Sequence, residues 1–215
     1  GLVGPPAFTA IGQLIGFGDD GPTASIALTG NEAVTDESTG ANASDTGLAA
    51  PNDEGALTPS LVPAAARLIG FDQANVVTTA GTGVGTDGGT SSVTLELGAN
   101  TDSGLTTTDG TAIALVKEGS IVVGRAAGEA IFAISINASG QVTVEQYDSI
   151  RHTPVGAFDD VARIAAGRLF AKVAAADGDT DAASQQIDIG QKIGMEDDGP
   201  GGSLALNAVF LITDE

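Results

Sequence analysis

Residues Ile11–Glu37 (IGQLIGFGDDGPTASIALTGNEAVTDE) and Ile189–Glu215 (IGQKIGMEDDGPGGSLALNAVFLITDE) are two copies of one segment. They align without a gap at an offset of 178 residues, with 15 of 27 positions identical. Self-similarity at a long period marks a tandem array. It constrains the fold: the unit must close within one period and join a copy of itself. The chain reads as one complete repeat, 11–188, followed by the start of the next, 189–215. Gly1–Ala10 has no counterpart before Ile189, so it is an added segment or the end of a preceding unit. Ser203–Ile212 is expected to be the next unit's first strand, as Ser25–Val34 is here. A slice of an array also accounts for the lack of a basic N-terminal region followed by an apolar stretch, so no compartment follows from that lack.

Within the period, apolar and polar residues alternate over short β-branched stretches. These are Ala24–Leu28, Ser91–Leu97, Ala112–Lys117, Ile121–Gly124, Ala130–Asn137, Gln141–Tyr147, Arg168–Ala176 and Gln185–Ile189. Asn137-Ala138-Ser139-Gly140 between two of them predicts a tight hairpin. Many short strands joined by turns predict an all-β, sandwich-like Ig or Greek-key module with long loops. At most two short helices are expected, over Leu61–Ile69 and Asp159–Ala166. Thr35–Pro59 is polar and reads as a long loop.

The charge is one-sided. There are 28 acidic and 8 basic side chains, a formal net charge of −20, and no Lys or Arg before Arg67. Such a chain lacks the basic face that nucleic acid or anionic lipid requires. No run of 18 apolar residues is present, so no insertion into a membrane is expected. Zero Cys removes disulfides, thiol nucleophiles and zinc–thiolate sites. The acids gather in short groups: Asp19-Asp20, Asp36-Glu37, Asp159-Asp160, Asp177-x-Asp179-x-Asp181 and Asp197-Asp198. Adjacent carboxylates repel unless a cation lies between them. Ca²⁺ suits such loops because it takes 6–8 oxygen ligands from carboxylates, carbonyls and water. These eleven residues are therefore the candidate metal ligands. Asp177-x-Asp179-x-Asp181 matches the first half of an EF-hand loop. Ala182 and Asp188 stand where that loop needs Gly and Glu, so a calcium loop between strands is expected instead.

Catalytic signals are weak. His152 is the only histidine, so a zinc triad cannot be built on it. It is expected to be structural, bonded to a loop carbonyl or carboxylate. No G-x-S-x-G elbow occurs. Gly81-x-Gly83-x-Gly85 leads to a strand rather than a helix and reads as a flexible loop, not a phosphate cradle. No enzyme activity is expected.

Several of these residues, in this order and spacing, resemble a known family. The carriers are Ser103-Gly104-Leu105, Ile121–Arg125 (IVVGR), Phe132–Gly140 (FAISINASG) and Val142–His152 (VTVEQYDSIRH). Asp159-Asp160, Ala176–Asp181 (ADGDTD) and Ile187–Pro200, closing on Asp-Asp-Gly-Pro, follow. From Phe17 to Pro200 the chain is similar to the type I secretion target repeats of giant RTX-like bacterial surface adhesins. The resemblance implies a β-sandwich-like module, exported unfolded and folded by calcium outside the cell. Its partners would be neighbouring repeats of the same chain and a host-surface or matrix ligand. Two roles are open: an extender giving reach and stiffness for adhesion or biofilm, or a ligand-binding module that holds a peptide carboxylate or glycan on a surface calcium.

Overall fold

The computed structural model describes residues 18, 20–37, 60–63, 65, 67–152 and 160–196. Among the described residues the fold is all-β, with no α-helix and one 3₁₀ turn at Gly190–Lys192. A six-stranded antiparallel sheet runs in the order β3 (Gly70–Asn75), β10 (Gln141–Gln146), β9 (Glu129–Ile136), β8 (Ile121–Ala126), β7 (Ala112–Glu118) and β6 (Asp102–Thr106). A three-stranded antiparallel sheet runs β13 (Ala182–Asp188), β12 (Leu169–Asp177), β5 (Gly89–Leu97). A third sheet places β14 (Ile193–Glu196) between β11 (Val161–Arg163) and β2 (Ala33–Asp36), antiparallel to the first and parallel to the second. A two-residue pair joins β1 (Ala27–Leu28) to β4 (Val77–Thr78).

Period-2 patterning builds the core. In β12, Leu169, Ala171, Val173 and Ala175 are buried, and the residues between them are partly exposed. Leu169, Ala171 and Val173 meet Leu95 of β5 and the inner face of the large sheet, where Ile113, Leu115, Val122, Phe132, Ile134, Val142 and Val144 gather. The large sheet's other face carries a smaller cluster of Val123, Ala133, Tyr147 and Leu68, against which Leu61, Val62, Ala65 and Phe71 pack. The β9–β10 hairpin forms as predicted. Asn137 Oδ1 accepts from the amides of Ser139 and Gln141, and Gly140 has φ 81°.

Neither expected helix is present among the described residues. Leu61–Pro63 is a run of bends and turns. Its donors go to β10 and the residue after it: Glu145 accepts the amides of Ser60 and Leu61, and Tyr147 Oη accepts that of Val62. Within Asp159–Ala166, Val161–Arg163 is a strand held against β14. Of Thr35–Pro59, Thr35 and Asp36 belong to buried β2, while residues 38–59 and Ser203–Ile212 lie outside the described residues.

The repeat division puts Ile189 and everything after it in the next unit. In the structure Ile189, Ile193 and Met195 are fully buried in this one. Each of these side chains contributes about 1.5–3 kcal/mol of apolar burial, gross of the entropy cost of ordering the strand, so β14 and its lead-in are part of this domain's core.

Candidate metal centre

Antiparallel pairing of β12 with β5 sets Asp177 opposite Gly89. Two neighbouring loops therefore meet at that end of the sheet. One is the turn 178–181 joining β12 to β13, and the other is the Gly-rich segment entering β5. The turn is closed by the Asp177 amide donating to the Asp181 carbonyl at 3.1 Å. The Asp181 amide returns a bond to Asp177 Oδ1 at 2.8 Å. Thr180 takes φ 86°, a left-handed backbone that a β-branched residue rarely adopts. The loops approach so closely that glycine is required on both sides. A Cβ on Gly89 would lie 2.0 Å from the Ala176 carbonyl oxygen, and one on Gly178 would lie 2.9 Å from that of Asp87.

This closeness brings Asp87, Asp177 and Asp179 together, with one carboxylate oxygen of each within 4.8 Å of the others. Asp87 and Asp179 are exposed and Asp177 is buried. Asp177 Oδ2 is shielded from solvent and has no hydrogen-bond partner. Burial, then the Asp179 and Asp87 carboxylates beside it, push the Asp177 carboxyl above the usual range. A shielded acceptor among like charges is short of positive charge. The three oxygens are hard donors, and they could hold a metal ion.

The sequence candidates separate into distinct places. Asp177 and Asp179 are in this cluster; Asp181 adjoins it through its backbone. Asp87 was missed, because Gly-Thr-Asp-Gly-Gly reads as a flexible loop and stands 90 residues before Asp177. A lone Asp two residues before a strand was its one signal. Asp20 is exposed, and its carbonyl packs where a Gly85 side chain would be. Asp36 is buried at the end of β2, in register with buried Glu196 of β14. Glu37 serves as a hydrogen-bond acceptor, taking Gln146 Nε2 and Ser149 Oγ at 2.7 Å each and the Ile150 amide at 3.2 Å. Burial pushes its carboxyl up despite these bonds. Asp160 approaches His152 Nδ1 at 3.9 Å, too far for a hydrogen bond. Among the described residues the buried ring nitrogens of His152 thus have no hydrogen-bond partner, where the sequence leads one to expect a bonded histidine. Asp19, Asp159, Asp197 and Asp198 lie outside the described residues.

An all-β domain with an acidic inter-loop cluster defines the class. The chain belongs to the family DUF5801, described as a domain of unknown function, which matches residues 32–190. No curated protein and no solved structure matches it.

Proposed function

We propose that the domain is a calcium-stabilised extender repeat of a secreted or cell-surface bacterial adhesin. The observation that carries this reading is the Asp87–Asp177–Asp179 cluster, whose innermost oxygen is shielded and unbonded. Oxygen-only donors on two turns suit Ca²⁺, which tolerates irregular shells of 6–8 ligands. Mg²⁺ demands a tighter octahedron. The 178-residue duplication supports a role in an array. The absence of Cys and the excess of acid suit a chain that stays expanded in low calcium and folds where calcium is millimolar. No reacting group is needed for such a role.

Calcium bound only to the native state adds about 2.7 kcal/mol at a hundredfold excess over Kd. For a domain of this size that is roughly 5–10 °C in Tm. Melting in millimolar calcium should exceed melting in excess EDTA by that order, and Asp87→Asn should remove most of the difference. Equal melting temperatures in the two buffers would sink the calcium reading.

One observation favours the ligand-binding alternative: two of the three carboxylates are exposed, leaving a side from which an external carboxylate or sugar hydroxyl can reach the ion. A peptide or glycan that binds in calcium, and not in EDTA or to Asp87→Asn, would select it.

A further inference from the structure

The residues that close this domain are the ones the duplication repeats. Ile189, Ile193 and Met195 are fully buried. Gly190 passes where a Cβ would lie 2.8 Å from the Ala165 carbonyl oxygen, and Gly194 where one would lie 2.4 Å from Val161 Cγ1. Gln191 donates through Nε2 to the Ile164 carbonyl at 2.8 Å and accepts from Arg163 Nη1 at 3.2 Å on its own carbonyl. Five of these residues recur unchanged as Ile11, Gly12, Gln13, Ile15 and Gly16, and Met195 is matched by another large apolar residue, Phe17. The two remaining differences are Lys192 against Leu14 and Glu196 against Gly18. Lys192 reaches Glu32 at the rim, at 3.1 Å, and Glu196, the buried last residue of the strand, is the one charged side chain the earlier copy lacks there. The isoleucines, the two close-packed glycines and the bonded glutamine that the slot between β11 and β2 selects are therefore present in the earlier copy.

We propose that Ile11–Gly18 is the closing strand for a second copy of this domain, entering the slot between its β11 and β2. The structural unit then runs 19–196, again one period of 178 residues, and the joint between units falls in Asp-Asp-Gly-Pro. The carboxylates of the loop cluster take no part in this slot, so either reading can fail without the other.

Two measurements on the full chain test it. In the first, Lys192→Leu, Met195→Phe and Glu196→Gly write the Ile11–Gly18 sequence into β14. The melt should stay cooperative and within about 5 °C of the parent, and loss of the cooperative melt would overturn the proposal. In the second, Gly194→Val and Gly16→Val disable both segments of the chain, and Ala162→Cys supplies its only thiol. Ala162 faces Met195 across the strand pair, and Phe17 is the counterpart of Met195. The variant is refolded in a buffer containing oxidised glutathione, which takes up the two electrons, with a synthetic Ile11–Gly18 peptide carrying Phe17→Cys, or with a scrambled peptide that keeps the cysteine. A disulfide yield at least tenfold above the scrambled peptide is expected. Equal yields would overturn the proposal, whether or not the variant folds alone.

Discussion

Three residues bear most directly on how this chain folds. Gly124 lies opposite Phe132, whose ring occupies the space of a side chain: a Cβ there would come within 2.4 Å of ring atoms. Gly124→Ala should therefore cost about 1–3 kcal/mol by overpacking, read as a lower urea midpoint with unchanged slope. Thr180 holds a backbone that favours glycine, so Thr180→Gly should raise stability by about 1 kcal/mol in EDTA. Glu145 is buried and accepts from the Ser60 amide and hydroxyl, the Leu61 amide and Tyr147 Oη. Burial pushes its carboxyl up, but the hydroxyls of Ser60 and Tyr147 and the two amides outweigh it, so the group sits below its usual range. A carboxyl depressed in the folded state stabilises above its unfolded pKa, and that contribution is lost as pH falls through the folded value. The stability gap between the parent and Glu145→Gln, measured by urea unfolding, should therefore be full at pH 7 and close in the acid range. A gap that widened on acidification would contradict this assignment. Neither Gly124 nor Glu145 announced its role in the sequence, because each role is set by a neighbour brought in from another strand or loop.

At the scale of elements, legibility followed local pattern. β5, β7, β8, β9, β10, β12 and β13 each lie within a few residues of an expected strand, although the centres of β8 and β9 are buried on both faces. β3, β4, β6, β11 and β14 were not among the expected strands, and β2 overlaps only the end of Ser25–Val34. β2 and β14 are four residues long and buried throughout, so no alternation is left to see. β11 has three residues, and β6 carries a register shift together with Gly104 at φ 81°. The expected strand Ala24–Leu28 shrinks to Ala27–Leu28. The candidate metal centre depends on two such elements meeting, since β12 brings Asp177 to the start of β5. Asp177→Asn and Asp179→Asn should each lower calcium affinity by an order of magnitude or more in a calorimetric titration. Asp181→Asn should change it little, because Asp181 joins the turn through its backbone. An equal loss for Asp181→Asn would return the site to the loop motif read from the sequence.

For the whole molecule, the charge of −20 spreads self-repulsion that salt screens. In EDTA, raising NaCl from about 0.01 M to 0.15 M shortens the screening length from about 30 Å to 8 Å and should raise Tm. In calcium the rise should be smaller, because bound ions already offset part of the charge. A chain ending at Asp188, the boundary the repeat suggests, should lose cooperative unfolding, whereas one ending at Pro200 should keep it, as circular dichroism melts would record. By itself the sequence determined the β class and the 178-residue period. Both are written in local features: a two-residue alternation and a self-match. Only the tertiary structure decided that Asp87 joins Asp177 and Asp179, that Glu37 is bonded to the loop after β10, and that Ile189–Glu196 closes the domain it was read as leaving. Those outcomes depend on register between strands far apart in the chain, such as Asp177 against Gly89 and Glu196 against Asp36. Such a register is chosen by the packing of the entire core, and no short stretch of sequence contains it.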